Sequence, residues 1–235
     1  MKSSMYWEED LDETSAGIPD AIVDLAFRID CRTLPVDHAY RLSQAVQAAL
    51  PWFAGESAAG LHLIHGADSG NGWYRPEGGS EDLLYLSRRT RFVLRLPRER
   101  VDDARALSGQ VLDIDGHKLE LGEASVRPLA HNTTIYARYV VGRAEDSEAE
   151  FLDRVAGELR AMGIRFKKVL CGRSHTLATP DGELFTRSVM LADLRLEDSI
   201  KLQQLGLGTN RKLGCGLFIP HKSLNRVDLG VEGLR

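Results

Sequence analysis

The order of predicted elements constrains the fold of this chain more than any other sequence feature. Residues 21–30 alternate as a β-strand does, and Leu34-Pro35 then opens a predicted helix whose apolar residues recur at helical spacing until Pro51. The rest of this half is predicted to contain three strands, a short helix and an Asp-Gly hairpin, in the order 61–65, 83–86, 91–96, 98–109 and 110–122.

The second half of the chain repeats that order. Residues 134–142 are predicted to form a strand, and Ser147 and Glu150 form a capping box before a helix that Gly163 ends. A hairpin with a Pro-Asp-Gly turn, a helix and a last strand follow over 166–194, 196–205 and 215–220.

Both halves therefore have the order strand–helix–strand–strand–helix–strand, which is the split βαβ unit of ferredoxin-like folds. The predicted fold class is α+β, with two tandem ferredoxin-like (βαββαβ, RRM-like) domains. We assign residues 1–20 to an acidic N-terminal leader, 21–128 to the first domain and 129–235 to the second. The chain length of 235 residues suits two small domains.

Composition narrows the functional class. Hydrophobic residues make up 43% and charged residues 27% of the chain, which excludes a largely disordered or collagen-like protein. No apolar run reaches the ~18–20 residues that span a bilayer, and the N-terminus has no apolar signal region. Cys31, Cys171 and Cys215 form no CxxC pair, and no group of residues has metal-ligand spacing. We expect a cytoplasmic protein with no membrane partner and no metal.

Charge is unevenly distributed along the chain. The net charge is −4, but residues 1–20 alone carry −5, which leaves the remainder at +1. Two stretches, 159–180 and 199–227, contain no acidic residue, and a third, 86–100, holds six arginines against one glutamate. Clustered positive charge of this kind favours phosphate binding. From these stretches we take four candidate phosphate-binding residues outside the glycine-rich segment described next: Lys167, Lys168, Arg173 and Lys222.

The segment 206–216 is the sharpest local feature of the sequence. It places Gly206, Gly208, Gly214 and Gly216 around the basic pair Arg211 and Lys212, between a predicted helix and a predicted strand. Glycine permits positive φ and close backbone approach, so successive N–H groups could converge on an anion. The segment matches neither a Walker A loop nor a dinucleotide-binding fingerprint.

This glycine pattern, close to the C-terminus, resembles the glycine-rich loop of the RAMP superfamily, the CRISPR-associated RNA-binding proteins built from tandem ferredoxin-like domains. Chain length and the repeated unit are similar to those of its "Cas six" endoribonucleases, which cut CRISPR repeat RNA. The resemblance implies a partner, a CRISPR repeat RNA stem-loop, with other subunits of an effector complex as further partners. It implies no cofactor.

The resemblance also implies a reaction. In that family the ribose 2′-OH attacks the adjacent phosphate without a metal, leaving a 2′,3′-cyclic phosphate and a 5′-OH. A catalytic histidine on or near the first helix is typical, and His38 fits that position, with Arg41 and Tyr40 beside it. Spacing places His38 off the core stripe, so we expect it to be partly exposed. His175 and His65 are the next candidates.

The sequence leaves three alternative functions open. The chain could hold guide RNA without cutting it, as a non-catalytic RAMP subunit. His131 and His221 each begin an H-x-[ST] triplet, a pattern of two-histidine phosphoesterases that open cyclic phosphates, although the middle residue is polar in both. A plain ferredoxin-like interaction module would leave the glycine-rich segment unexplained. Trp73, Tyr74 and Arg75, in a long glycine-rich loop, could stack on bases.

Overall fold

A computed structural model describes residues 21–66 and 82–221 of the protein. Trp73, Tyr74, Arg75 and Lys222, named above as nucleic-acid contacts, lie outside the described residues.

Seven strands and three helices make up the first half of the described chain. In chain order they are β1 (Ile22–Asp30), β2 (Thr33–Pro35), α1 (Ala39–Ala49), α2 (Trp52–Gly55), β3 (Gly60–His62), β4 (Leu83–Tyr85), β5 (Arg91–Pro97), α3 (Val101–Ala104), β6 (Val111–Ile114) and β7 (His117–Arg127). Single 3-10 turns, Arg98–Arg100 and Arg105–Leu107, flank α3.

The second half contains four strands and two helices. They are β8 (Ile135–Val141), α4 (Glu148–Ala161), β9 (Lys168–Thr179), β10 (Gly182–Ala192), α5 (Leu196–Leu205) and β11 (Ile219–Pro220), with a 3-10 turn at Arg211–Leu213. The capping box at Ser147 and Glu150 is formed, and Gly163 follows α4 with φ +68°.

Sheet topology confirms two tandem ferredoxin-like units. The first sheet has the order β3-β5-β1-β7-β6 and the second the order β11-β8-β10-β9. Apart from the added edge strand β6, each sheet places the first strand of its unit between the third and fourth, with antiparallel pairing. This strand order is that of the split βαβ unit, which the sequence predicts for each half of the chain.

Each domain has its own core. The apolar stripe of α1, with Ala39 and Val46, packs with Phe27 and Phe92, whose rings stack at 5.9 Å. In the second domain, α4 packs Phe151 against the face of β10.

Two local predictions are wrong. Pro35 does not open a helix: it ends β2, where it pairs with Leu83, and α1 begins only at Ala39. The last strand is two residues long rather than six, because Cys215 and Gly216 hydrogen-bond to Asn210 and Tyr139 as part of the glycine-rich segment. Among the residues that the structure describes, none of the helices combines the length and apolar character needed to cross a membrane.

Candidate functional site

The glycine-rich segment 206–216 folds against the protein itself. All four of its glycines have φ between +68° and +83°. A Cβ on Gly216 would lie 2.0 Å from the carbonyl oxygen of Leu207, and one on Gly214 would lie 2.7 Å from Leu63 Cγ. Close packing therefore requires glycine at positions 214 and 216, whereas at Gly208 the positive φ alone favours it.

The backbone of this segment also serves internal bonds. Leu207 N–H donates to the Gly216 carbonyl at 3.0 Å, and Gly216 N–H donates to the Tyr139 carbonyl at 2.6 Å. Gly214 N–H donates to the Arg211 carbonyl at 3.1 Å. These three N–H groups already have carbonyl acceptors, so they are not available to an anion. For the rest of the segment, the predicted convergence of N–H groups on an anion stays a prediction.

Arg211 is turned inward. Its guanidinium donates to the Ala58 carbonyl at 2.8 Å and to the Gln204 carbonyl at 3.2 Å. Burial, with Arg95 nearby, lowers the pKa of Arg211 to about 10. The geometry therefore does not support the predicted contact between this side chain and RNA phosphate.

Lys212 is also turned inward. Its Nζ donates to the Ala59 carbonyl at 2.6 Å and to the Glu56 carbonyl, and it lies 4.5 Å from the centre of the Phe53 ring. Burial lowers the pKa of Lys212 to about 8, so its charge depends on these carbonyls and the ring face. With Arg211, it ties the segment to the first domain.

A cleft of about 470 Å³ lies where the two sheets meet. Its walls come from β1, β3, β5 and β7 on one side and from β8, β11 and Gly214 on the other. Four arginines line it: Arg89, Arg91, Arg127 and Arg138. Guanidinium groups bind phosphate well because their planar donors match its oxygens.

The acidic residue in this lining, Asp24, is already neutralised. Arg95 is 1% exposed and meets the Asp24 carboxylate through two hydrogen bonds of 2.8 and 2.9 Å. Burial alone would raise the pKa of Asp24, but the charge of Arg95 and the neighbouring His62 outweigh it and hold that pKa well below its usual range. The cleft therefore presents net positive charge.

Arg95 also joins the two domains. Its Nη1 donates to the carbonyls of Gln203 at 3.1 Å and Phe218 at 2.7 Å, both in the second domain. His62 Nε2 lies 3.6 Å from Asp24 Oδ1 on the other side, and burial lowers the pKa of His62 against the pull of that carboxylate. One buried charge network thus forms the floor of the cleft.

Three rings meet beside these arginines. His65 stacks on Tyr139 with ring centroids 6.1 Å apart, and His175 meets the same tyrosine edge-on at 5.6 Å. His65 and Tyr139 both line the cleft; Tyr139 is 4% exposed and His65 is half-buried. An accessible imidazole beside guanidinium groups can exchange a proton with a bound phosphate ester.

His38 differs from its prediction. It is 2% exposed, not partly exposed, because it precedes α1 with its ring turned into the first domain. Its Nδ1 lies 2.9 Å from the Pro35 carbonyl, and its Nε2 accepts a 3.1 Å bond from Ile64 N–H. With both ring nitrogens bound to backbone, His38 is placed to hold the residue before His65.

Tyr40 and Arg41 point elsewhere. Tyr40 Oη accepts from Gln44 Nε2 at 2.8 Å, and Arg41 pairs with Asp115 at 3.0 Å on the exposed side of α1. The structure therefore does not bring the predicted His38, Tyr40 and Arg41 set together around the cleft.

Other predicted residues are spread over the second domain. Lys167, Lys168 and Arg173 are exposed at and along β9, and Lys168 pairs with Asp193 at 3.1 Å. His131 and His221 lie outside strands, unlike the histidines of the phosphoesterase pattern. Across 21–66 and 82–221, no three His, Cys, Asp or Glu side chains are grouped so as to hold a metal ion.

Sequence reasoning missed Arg127, Arg138 and Tyr139. Arg127 lies on β7, whereas Arg138 and Tyr139 are neighbours on β8, so the three meet only where the two sheets come together. A usable signal was present in Asp24 and Arg95, which are charged residues inside otherwise apolar strands and therefore needed partners.

The fold matches that of solved RAMP-class proteins. Structural similarity extends to "CRISPR associated protein Cas6", with a TM-score of 0.60 at 12% identity over 86% of this chain and 100% of that one. A Cas6-related protein from Pyrococcus furiosus gives 0.57 at 12% identity, covering 84% and 97% of the two chains. "An RAMP protein binding different RNA substrates" gives 0.54 at 14% identity, covering 84% and 98%.

Sequence similarity is more specific. The family model described as "Cas6 Crispr" matches residues 23–223. The "CRISPR-associated endonuclease Cas6" of Myxococcus xanthus (strain DK1622) is 31% identical over 205 residues, covering 87% of this chain and 84% of that protein. The chain belongs to the Cas6 family.

Proposed function

We propose that this protein is an endoribonuclease that cuts CRISPR repeat RNA stem-loops and so matures guide RNAs. The activity named for the Myxococcus xanthus relative supports this class of reaction. The single observation that carries it is that His65 and Tyr139 share one interdomain cleft with four arginines.

The chemistry follows from what that cleft contains. The 2′-OH loses its proton and attacks the adjacent phosphorus, and the arginines stabilise the charge of the resulting phosphorane. The bond to the 5′ oxygen then breaks, and that oxygen takes a proton. The products are a 2′,3′-cyclic phosphate and a 5′-OH, and the His65 imidazole that lines the cleft can exchange protons with the reacting oxygens. We therefore infer that no metal is needed.

His65 is the proton-transfer group in this proposal. It lines the cleft, and the face of Tyr139 holds its ring in place. His38 is a positioning residue in this proposal, because its bond from Ile64 N–H fixes the backbone beside His65.

The test uses a labelled CRISPR repeat hairpin in EDTA. We expect one cut with a cyclic phosphate end, no cut when the scissile sugar is 2′-deoxy, and a rate about 10²–10⁴ lower for His65→Ala. His131→Ala, at an exposed position, is the control. His38→Ala is not equivalent, because losing a buried ring should also lower Tm.

A second substrate separates the two proton transfers. In a repeat with a 5′-phosphorothiolate at the scissile bond, the leaving group is a thiolate, which needs no acid to protonate it. This substrate therefore restores the cleavage rate of His65→Ala only if His65 is the acid. Full His65→Ala activity on ordinary RNA removes His65 from the reaction. A cut that requires a metal contradicts the metal-free chemistry, and tight binding without any cut fits a guide-RNA-holding subunit instead.

A further inference from the structure

Four partly exposed side chains form a row across the second sheet. Cross-strand register pairs Ile219 with Tyr136, Tyr136 with Met190 and Met190 with Leu170. Side chains of directly paired residues stand on the same face of a sheet. The row therefore crosses all four strands, from β11 to the edge strand β9.

This row lies on the face opposite the core. Its neighbours along the strands, Ile135, Val189 and Leu191, are fully buried against α4 and α5, so the row points the other way. Leu170 is 52% exposed, which is unusual for a leucine in a strand. The face thus offers apolar surface that the described residues leave partly uncovered.

The row has aromatic and cationic character at one end. The Arg138 guanidinium lies 5.9 Å from the centre of the Tyr136 ring, and the His221 ring meets Tyr136 edge-on at 6.0 Å. Arg138 and Ile219 also line the interdomain cleft. The row is therefore continuous with the arginine-lined wall.

We propose that this row binds unpaired nucleotides of the RNA strand that leaves the cleft. Bases in a single strand expose flat apolar faces, which stack on tyrosine and pack on leucine and methionine, whereas bases in a duplex are already stacked on each other. Strands spaced ~4.8 Å apart give a row of about 14 Å, which suits two or three bases. Arg138 supplies charge to the phosphate between the cleft and the first stacked base.

This inference rests on the proposed function for the identity of the RNA, but binding is measured without cleavage. The probes are a fluorescent single-stranded oligouridine of twelve nucleotides and a blunt RNA hairpin with no flanking nucleotides. We expect Tyr136→Ala to weaken oligouridine binding about 5- to 150-fold, from the ~1–3 kcal/mol that one stacked base contributes. Tyr136→Phe keeps the ring and should stay within about twofold of wild type.

Tyr85→Ala is the matched control, because Tyr85 is a 75% exposed tyrosine on β4, away from the row. Leu170→Glu tests the same surface at an exposed position where folding tolerates the change, and should weaken oligouridine binding as well. Unchanged oligouridine affinity in both Tyr136→Ala and Leu170→Glu, at wild-type Tm, overturns the proposal. So does an equal loss for the blunt hairpin. Loss of oligouridine affinity in a protein that cuts no repeat RNA would sustain this site while refuting the endoribonuclease.

Discussion

The glycine-rich segment and the interdomain cleft are both basic, but their positive side chains have different partners. Arg211 and Lys212 donate to the backbone carbonyls of residues 56, 58 and 59, so they join the segment to the first domain. Arg89 and Arg127 stand exposed in the cleft wall. The cationic side chains therefore stabilise the fold in the glycine-rich segment, whereas those in the cleft are available to a phosphate.

The difference lies in what surrounds each cation. Inside the protein, a charged donor is stable only when carbonyls or carboxylates satisfy it, and once satisfied it has little left to offer a ligand. A guanidinium at a cleft surface stays hydrated until RNA replaces that water. A basic motif in a sequence does not by itself distinguish these two situations.

The largest effect is expected from alanine substitutions at two glycines of the glycine-rich segment. Comparing the two distinguishes backbone strain from close packing. Gly216 and Gly208 have nearly equal φ, +68° and +71°, so alanine is strained at both by about 1–2 kcal/mol. At Gly216 the new Cβ would also lie 2.0 Å from the Leu207 carbonyl oxygen, whereas at Gly208 the nearest atom is 3.9 Å away. We expect Gly216→Ala to lower the free energy of unfolding, measured by urea titration, by more than about 4 kcal/mol, or to prevent folding.

Gly208→Ala is the control, and it should lower the free energy of unfolding by about 1–2 kcal/mol. Similar losses for the two variants would show that the close approach at Gly216 is not what selects glycine there.

A pair of double variants tests the comparison directly. Arg211→Ala with Lys212→Ala should lower the free energy of unfolding by about 2–4 kcal/mol, because charged donors to carbonyls are removed, and should leave the salt dependence of RNA binding unchanged. Arg89→Ala with Arg127→Ala should hardly change stability. It should flatten the plot of log affinity against log salt by about two units.

Both quantities are measured on the same preparations, by urea titration and by RNA binding between low and moderate salt. A flattened salt dependence in the Arg211 and Lys212 variant would return the glycine-rich segment to the RNA-binding surface.

The smallest effect concerns His62, at the floor of the cleft. Burial lowers its pKa, so below about pH 6.5 the unfolded chain binds a proton there that the folded chain does not. The contribution of this residue to stability should therefore fall as pH decreases from about 7 to 5. His62→Gln should flatten that fall, while the exposed His131→Gln should not. Asp24 titrates in a separate window, below about pH 4.

Much of the fold could be predicted because its signals are local. The Asp115-Gly116 turn, the capping box of α4 and the helical spacing of α1 each depend on neighbours within a few residues. The start of α1 could not, because β2 exists only through pairing with β4 some fifty residues later.

The site was harder to predict than the fold. Helical spacing placed His38 on an exposed flank, but the ring belongs to the loop that precedes α1 and is held by Ile64, a contact with no trace in sequence spacing. His65 was a secondary candidate, and its partner Tyr139 was not recognised, because the two meet only when the domains dock.

The buried Arg95 also bears on how the protein is made. Its guanidinium needs carbonyls from residues 203 and 218, which leave the ribosome more than one hundred residues after it. While the nascent chain is shorter than that, this cation must stay in water, and the two halves of the cleft have no common floor. The cleft is therefore complete only once residues 203 and 218 have been synthesised, and a fragment that ends before them lacks its common floor.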